Sequence, residues 1–287
     1  MFGNLNFHRS VTYLSRRVRG AAKLASLSVR RQLSGDTIWV DFGDIKLPFH
    51  GDGDFQELYY HVLGKRWWKD ELHVLSPYLA PGDVVIDVGA NLGLMSALFS
   101  KLTGPEGRVY SFEPSPVVYA KLSEVIKANH LSNVSPYNLG CGSQEQSLSL
   151  YRHRNSGNAS LRPDARVDRS TQPHQTVQIT KLDDFLGPQL ARLNFIKIDT
   201  EGFEDEVLLG AVGLLTRFKP IIYIELSTQY LASSQASVNL LQDYGYAFDR
   251  EVNLRRDDSR YVENFIALPP DFEKIGANAG EPGDRKS

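Results

Sequence analysis

A strand–turn–helix–strand pattern at residues 83–115 constrains the fold of this chain more than any other feature. Val84–Val88 is rich in Val and Ile, which is typical of a strand buried on both faces. A turn of small residues follows, and apolar residues then recur at helical spacing up to Leu102. A second strand is predicted over Arg108–Phe112, directly before Glu113. The pattern predicts a βαβ unit with parallel strands and a right-handed crossover.

The two turns of this unit carry groups that suit a nucleoside ligand. Gly89 and Gly93 have no Cβ, so the backbone can approach a ligand closely. Glu113 follows the second strand, where an acid can accept both hydroxyls of a ribose. The pattern is D-x-G-A-N-x-G, beginning at Asp87, and not the G-x-G-x-x-G of dinucleotide-binding proteins. This departure favours S-adenosylmethionine (SAM), which has no pyrophosphate, over a dinucleotide; a purely structural turn is the alternative.

IDVGANLGLMS and VYSFEPSP, together with IKIDTEGFEDEVLLGA at residues 196–211, resemble motifs of the FkbM family of class I SAM-dependent methyltransferases. The resemblance covers residues 83–268. It implies an α/β fold with a Rossmann-like, doubly wound, seven-stranded sheet that is mostly parallel and ends in an antiparallel hairpin. It also implies SAM as the cofactor, bound by a set of residues near the first turns and strand ends: Asp87, Gly89, Ala90, Asn91, Gly93, Leu94, Glu113, Pro114, Gly140 and Asp199.

A group of acidic residues follows two later predicted strands. Asp199 and Glu201 come directly after a strand at residues 194–198, and Glu225 lies near the carboxyl end of one at residues 220–226. Since ligands of a doubly wound sheet bind outside these strand ends, the three carboxylates can converge on one pocket. Asp199 is the predicted catalytic base for an acceptor hydroxyl and Glu201 the second choice; alternatively, Asp199 only orients the cofactor or nearby backbone. A divalent cation is a further alternative, but without a clear His partner we expect no metal site.

Residues 152–176 form a long, polar, arginine-rich connection, which indicates a functional or disordered loop. Within it, the segment NSGNASL at residues 155–161 resembles a family segment beside the substrate. Asn158 and Ser160, with Glu225, are therefore the predicted substrate residues, and a solvated loop is the alternative. Further along the chain, the acids at residues 204–206 open a helix and are assigned to capping and solvation.

The sequence divides into four predicted regions. Residues 1–35 form a basic N-terminal extension with seven Lys and Arg and no acid. Residues 36–82 form a hairpin and helical cap, residues 83–270 the methyltransferase domain, and residues 271–287 a tail predicted to be disordered. Three interpretations of the extension remain open: a loosely docked helix, a helix on a membrane surface or anionic partner, or an organelle transit peptide.

Composition limits the function classes. The net charge of −2 gives no indication of nucleic-acid binding, and no apolar run approaches the ~18 residues needed to cross a bilayer. Cys141 is the only cysteine, which excludes an intrachain disulfide and a Cys-based zinc site; a pocket-wall role is expected for it. We expect a cytoplasmic enzyme, with membrane association through residues 1–35 as an option, that O-methylates a sugar, glycan, lipid or secondary metabolite. N-methylation and a non-catalytic SAM-fold scaffold are the alternatives.

Overall fold

The computed structural model describes residues 38–42, 44–49, 70–152, 159–162, 175–249, 262–270 and 272. The basic extension, the C-terminal tail apart from residue 272, residues 50–69 of the predicted cap and the predicted substrate residue Asn158 lie outside the described residues, so their predictions remain predictions.

The described strands and helices follow one another in the order that the sequence pattern indicates. The strands are β1 (Ile38–Phe42), β2 (Ile45–Phe49), β3 (Val84–Val88), β4 (Arg108–Phe112), β5 (Val134–Tyr137), β6 (Gly140–Cys141), β7 (Gln146–Arg152), β8 (Ala159–Ser160), β9 (Gln175–Thr180), β10 (Phe195–Ile198), β11 (Ile221–Ser227), β12 (Ala247–Phe248) and β13 (Val262–Leu268). The helices are α1 (Leu94–Thr103), α2 (Pro116–Ala128), α3 (Leu182–Phe185), α4 (Glu204–Leu209), α5 (Val212–Phe218) and α6 (Leu231–Asp243). Residues 70–75 are also helical.

A seven-stranded sheet with the order β12-β13-β11-β10-β3-β4-β5 forms the centre of the protein. Strands β5, β4, β3, β10 and β11 are parallel to one another, and β13 pairs antiparallel with both β11 and β12. The strand order reverses between β3 and β10, because β4 and β5 extend to one side and β11 to the other. The predicted doubly wound sheet and its antiparallel closing hairpin are confirmed, and the rule for such sheets locates the ligand site at this reversal.

Apolar residues cover both faces of the central strands. Val84, Ile86 and Val88 pack with residues of α3 to α6, whereas Val85 packs with α1, α2 and the apolar residues around Leu75. All five residues of β3 and all four of β10 are buried. This burial on both sides explains why these strands are mostly apolar, with Asp87 and Lys197 as the buried exceptions.

Two features differ from the sequence prediction. The small residues at 138–142 predict a turn after the third strand of the domain, but Gly140–Cys141 forms the short strand β6 of a separate sheet with the order β6-β9-β7-β8. The helix after the acidic residues is interrupted at Gly210, where an added Cβ would overlap the carbonyl oxygen of Gly142. The predicted hairpin of β1 and β2 is confirmed, and it is joined to the end of α2 by two hydrogen bonds between Lys46 and Asn129.

Within the described ranges, no helix combines the length and the apolar character that spanning a bilayer requires.

Candidate functional site

The glycine turn after β3 is held against the end of β4. The N–H groups of Gly89 and Ala90 both donate to the carbonyl oxygen of Phe112, at 3.0 and 2.9 Å. Gly89 has a φ of +73°, and a Cβ added there would stand 1.9 Å from the carbonyl oxygen of Asp199. Asn91, with a φ of +52°, is also in the left-handed region. The turn therefore needs glycine at position 89 for both its conformation and its contact with the neighbouring strand end.

Gly93 and Leu94 lie at the start of α1, and their surroundings are apolar. A Cβ on Gly93 would stand 2.6 Å from Cδ1 of Leu122, so the missing side chain allows α1 to approach α2. Leu94 is buried in the core that these helices share. These two predicted cofactor residues therefore support the turn through close packing of α1 against the core.

The carboxyl group of Glu113 is hydrogen-bonded to the glycine turn, and the residue is 7% exposed. Its Oε2 accepts a hydrogen bond from the N–H of Asn91 at 3.0 Å, and its Oε1 accepts one from the N–H of Ser115 at 2.9 Å. A carboxylate oxygen can accept two hydrogen bonds, so each oxygen keeps one acceptor position. Burial raises the pKa of Glu113 to about 7, against the effect of the two N–H donors. The carboxylate thus faces the glycine turn with an acceptor position for each of two neighbouring hydroxyls.

The backbone on the other side of Glu113 is fixed by an amide side chain. Nδ2 of Asn138 donates to the carbonyl oxygens of Glu113 and Pro114, at 2.9 and 3.0 Å. A Cβ on Gly140 would stand 3.4 Å from the Cβ of Pro114 and 2.6 Å from the Cδ1 of Ile179. The structure therefore brings the predicted residues Pro114 and Gly140 together beside Glu113. Asn138 was not predicted as a site residue.

Lys197 contacts both the glycine turn and Asp199, and it was not predicted as a site residue. Its Nζ donates to the carbonyl oxygens of Val88 and Gly89, at 3.2 and 2.7 Å, and lies 3.4 Å from Asp87 and 3.5 Å from Asp199. Lys197 is 2% exposed. A lysine in a central strand is almost never fully buried without partners, so the I-K-I sequence of β10 was the available signal.

Asp87 supports the turn from within the core. It is 0% exposed, and its Oδ2 accepts a hydrogen bond of 2.6 Å from the hydroxyl of Ser96 in α1. Burial raises the pKa of Asp87, and the Lys197 ammonium opposes this effect. Asp87, a predicted cofactor residue, therefore acts in this structure through Ser96 and Lys197 rather than from an exposed surface.

The carboxylates of Asp199, Glu201 and Glu225 converge at the carboxyl ends of β10 and β11. Oxygen atoms from the three groups all lie within 4.8 Å of one another, and each residue is partly buried. The predicted convergence is confirmed. Such a group can accept hydrogen bonds from hydroxyls or bind a divalent cation. It lies next to the glycine turn, because the N–H of Asp199 donates to the carbonyl oxygen of Val88 at 3.2 Å.

Residues 199–202, which we call the acidic turn, are held in place by the carboxylate of Glu204. Its Oε1 accepts hydrogen bonds from the N–H and hydroxyl of Thr200, at 2.9 and 3.0 Å, and from the N–H of Gly202 at 3.0 Å. Glu204 is 3% exposed, and burial raises its pKa. The solvated role assigned to this residue is wrong, because its carboxylate is buried against the backbone N–H groups of the turn.

The arrangement fits the cofactor expected from the sequence. A glycine turn without side-chain obstruction lies over a buried acid whose two oxygens each retain an acceptor position, which suits the paired hydroxyls of a nucleoside. The sheet order and this site define a Rossmann-like domain of the SAM-dependent methyltransferase class, with SAM as the cofactor.

The chain belongs to the FkbM methyltransferase family. The family model described as the Methyltransferase FkbM domain matches residues 87–248, which are more than half of the chain. This match confirms the resemblance seen in the motifs. It covers the glycine turn, Glu113 and the three converging carboxylates.

Individual relatives match over part of their length. Methyltransferase 1 of Beauveria bassiana is 29% identical over 167 residues, which are 52% of this chain and 66% of that protein. The hexuronic acid methyltransferase AglP of Haloferax volcanii is 25% identical over 157 residues, which are 54% of this chain and 61% of that protein. The matches thus span 61–66% of the length of these relatives. The crystal structure of methyltransferase FkbM from Methylobacillus flagellatus has a TM-score of 0.47 at 16% identity, covering 88% of this chain and 59% of that chain.

Proposed function

We propose that this protein is a SAM-dependent O-methyltransferase that acts on a hydroxyl of a sugar, glycan, lipid or secondary metabolite. The observation that carries the proposal is the group of three carboxylates, within 4.8 Å of one another, beside the glycine turn. Carboxylates can orient hydroxyl groups and remove a proton from one of them. The hexuronic acid methyltransferase among the relatives supports a sugar-type acceptor as the first class to test.

Bound SAM supplies a methyl group on a positively charged sulfur. The role of Glu113 is to hold the ribose through the acceptor positions that the N–H groups of Asn91 and Ser115 leave open. Gly89 and Ala90 present backbone without bulky side chains at the turn. The rigid attachment of this turn to the carbonyl oxygen of Phe112 means that little ordering is needed when the cofactor binds.

Asp199 is the proposed base, and it accepts the proton of the acceptor hydroxyl at its carboxylate. The Lys197 ammonium lies 3.5 Å from Oδ2 of Asp199 and fixes that carboxylate beside the glycine turn. The proposed role of Glu201 and Glu225 is to accept hydrogen bonds from other hydroxyls of the same acceptor, which their proximity to Asp199 supports. Positioning of this kind can supply up to roughly 7–11 kcal/mol of the barrier reduction in favourable cases.

Cofactor binding is the first test. Isothermal titration calorimetry with SAM should show saturable binding that is lost in Glu113→Ala. Glu106→Ala, at an exposed acid on the turn before β4, is the matched control and should bind like the wild type. Folded protein that shows no SAM binding would contradict the proposal and favour a scaffold role.

Methyl transfer is the second test. SAM with a labelled methyl group is incubated with a cell extract that is then separated into glycan, lipid, small-molecule and protein fractions, with glucuronic acid as a defined sugar acid. We expect label in a hydroxyl-bearing fraction, and at least a 100-fold lower rate in Asp199→Asn, since a positioned base typically contributes about 10²–10⁴-fold. Predominant labelling of protein amines would instead support N-methylation.

A further inference from the structure

Ser160 in β8 contacts the acidic turn through its hydroxyl. Its Oγ donates to the carbonyl oxygen of Glu201 at 2.6 Å and accepts from the N–H of Arg162 at 3.1 Å. Ser160 is 1% exposed. A hydroxyl has a single proton to donate, and here Glu201 receives it. Ser160 therefore has no donor left for an acceptor molecule in this arrangement.

Arg162 fastens the same stretch to the helix that follows the turn. Its Nη2 lies 2.9 Å from Oδ2 of Asp205 and 3.7 Å from Oε1 of Glu206. Its guanidinium carbon lies 5.5 Å from the centre of the Phe203 ring. Asp205 is itself held by the hydroxyl of Ser233 in α6, at 2.6 Å. Residues 159–162 are thus attached at two points, to Glu201 before Gly202 and to the start of α4 after it.

The residue that Ser160 holds has an unusual backbone conformation. Glu201 has a φ of +54°, which is in the left-handed region, and the following Gly202 has a φ of +98°. Non-glycine residues keep such conformations where the surrounding structure fixes them, and they cluster at functional sites. The side chain of Glu201 is one of the three converging carboxylates. The contact from Ser160 therefore fixes the backbone of a residue whose carboxylate belongs to the candidate acceptor site.

We propose that Ser160 and Arg162 are positioning residues, which hold Glu201 in the conformation that directs its carboxylate toward Asp199 and Glu225. This inference rests on the proposed methyl transfer, because the carboxylate group is the proposed site of acceptor activation. It differs from the sequence-based expectation that Ser160 itself contacts the acceptor.

Hydrogen exchange of the SAM-free protein, measured by mass spectrometry, tests the contact without any acceptor. The N–H groups of Thr200 and Gly202 are protected by hydrogen bonds to Glu204. We expect faster exchange in a peptide covering residues 200–202 in Ser160→Ala, and exchange restored toward the wild type in Ser160→Thr, which keeps the hydroxyl. Ser147→Ala, at an exposed serine of β7, is the matched control and should change nothing there.

Arg162→Gln provides a second, independent variant. The Arg162 side chain is 32% exposed, so its replacement leaves no large cavity. It should accelerate exchange at residues 200–202, as Ser160→Ala does. The dissociation constant of SAM should stay within about twofold, because the contacts described for Ser160 and Arg162 are with Glu201, Phe203, Asp205 and Glu206 and not with the glycine turn. Unchanged exchange at residues 200–202 in both variants would overturn the proposal. Equal acceleration throughout the protein would also overturn it, since that result shows general destabilisation.

Kinetics with the labelled extract fraction separate positioning from substrate contact. For Ser160→Ala we expect kcat to fall about fivefold to tenfold, the effect of losing one hydrogen bond, with the KM for SAM unchanged. A higher KM for the acceptor fraction at unchanged kcat would overturn the proposal in favour of direct contact. Failure of the wild type to bind SAM would refute the proposed function, whereas the exchange measurement tests the Ser160 contact separately.

Discussion

Replacing Gly89 by alanine should damage the site through two separable effects. The first is backbone strain, because Gly89 has a φ of +73° and an L-residue in this region costs roughly 1–2 kcal/mol. The second is overlap, because the new Cβ would stand 1.9 Å from the carbonyl oxygen of Asp199, where ordinary contact begins at 3.4 Å. Relief requires a displacement of about 1.5 Å between the glycine turn and the end of β10.

That displacement would strain the pairing of β3 with β10 at the point where the N–H of Asp199 donates to Val88. Overpacking of this kind costs ~1–3 kcal/mol, so the total loss of unfolding free energy for Gly89→Ala is roughly 2–5 kcal/mol. Gly245→Ala is the matched control. Gly245 also has a positive φ, +80°, but a Cβ added there would lie 3.5 Å from its nearest neighbour, Pro270. Only the backbone strain of about 1–2 kcal/mol therefore applies to Gly245→Ala.

Urea denaturation of both variants and calorimetric titration with SAM measure the two effects. Gly89→Ala should unfold at clearly lower urea than Gly245→Ala and should bind SAM at least tenfold more weakly, whereas Gly245→Ala should bind SAM like the wild type. If Gly89→Ala is no less stable than the control and binds SAM with unchanged affinity, then the turn is not fixed against Asp199 as the structure shows.

Three further predictions concern buried charges around the site. The folded-state pKa of Glu113, about 7, lies above its ordinary value of 4.5, so its contribution to stability is complete below pH 4.5 and is lost as pH rises through about 7. SAM hydroxyls favour the carboxylate, so calorimetry near pH 6.5 in two buffers of different ionisation enthalpy should show proton release on binding, absent in Glu113→Gln. Lys197→Met should lower the unfolding free energy measured in urea by ~3–5 kcal/mol, because it leaves Asp87 as an uncompensated buried acid. The double variant with Asp87→Asn should recover part of that loss. No recovery would show that the lysine contributes only packing. Glu204→Ala should lower the unfolding free energy by roughly 2–4 kcal/mol, because the N–H groups of Thr200 and Gly202 lose their acceptor, and a loss under 0.5 kcal/mol would show that Glu204 does not order this turn.

The sequence predicted the parts of the fold that local patterns determine. The strands β3 and β4, the helix α1 and the glycine turn each follow from periodicity and small residues within a few positions of one another. The convergence of Asp199 with Glu225 was also predictable, because parallel strands of known order bring their carboxyl ends to one edge. The pairing of Gly140 with β9 was not predictable, since it depends on a contact with a strand nearly forty positions away.

Side-chain partners were harder to predict than positions. Nothing local indicates that the Ser160 hydroxyl is directed at the backbone of Glu201 rather than at a substrate, because the two residues are 41 positions apart. Likewise, Glu204 looks like an ordinary acid at a helix start, and only the folded turn shows that three donors surround it. In both cases the missing information is which tertiary neighbour takes a given hydrogen bond.

Lys197 connects a buried acid, Asp87, with the acid that is the base in the proposed reaction, Asp199. Its ammonium lies about equally far from Asp87, 3.4 Å, and from Asp199, 3.5 Å, and it also binds the carbonyl oxygen of Gly89. In the proposed reaction Asp199 gains a proton and loses its charge. Because Asp87 remains beside the same ammonium, that step leaves Lys197 paired, and no buried charge becomes isolated. Under the proposed mechanism, a lysine shared by two acids therefore allows the charge of Asp199 to change while the glycine turn keeps its contact with Lys197.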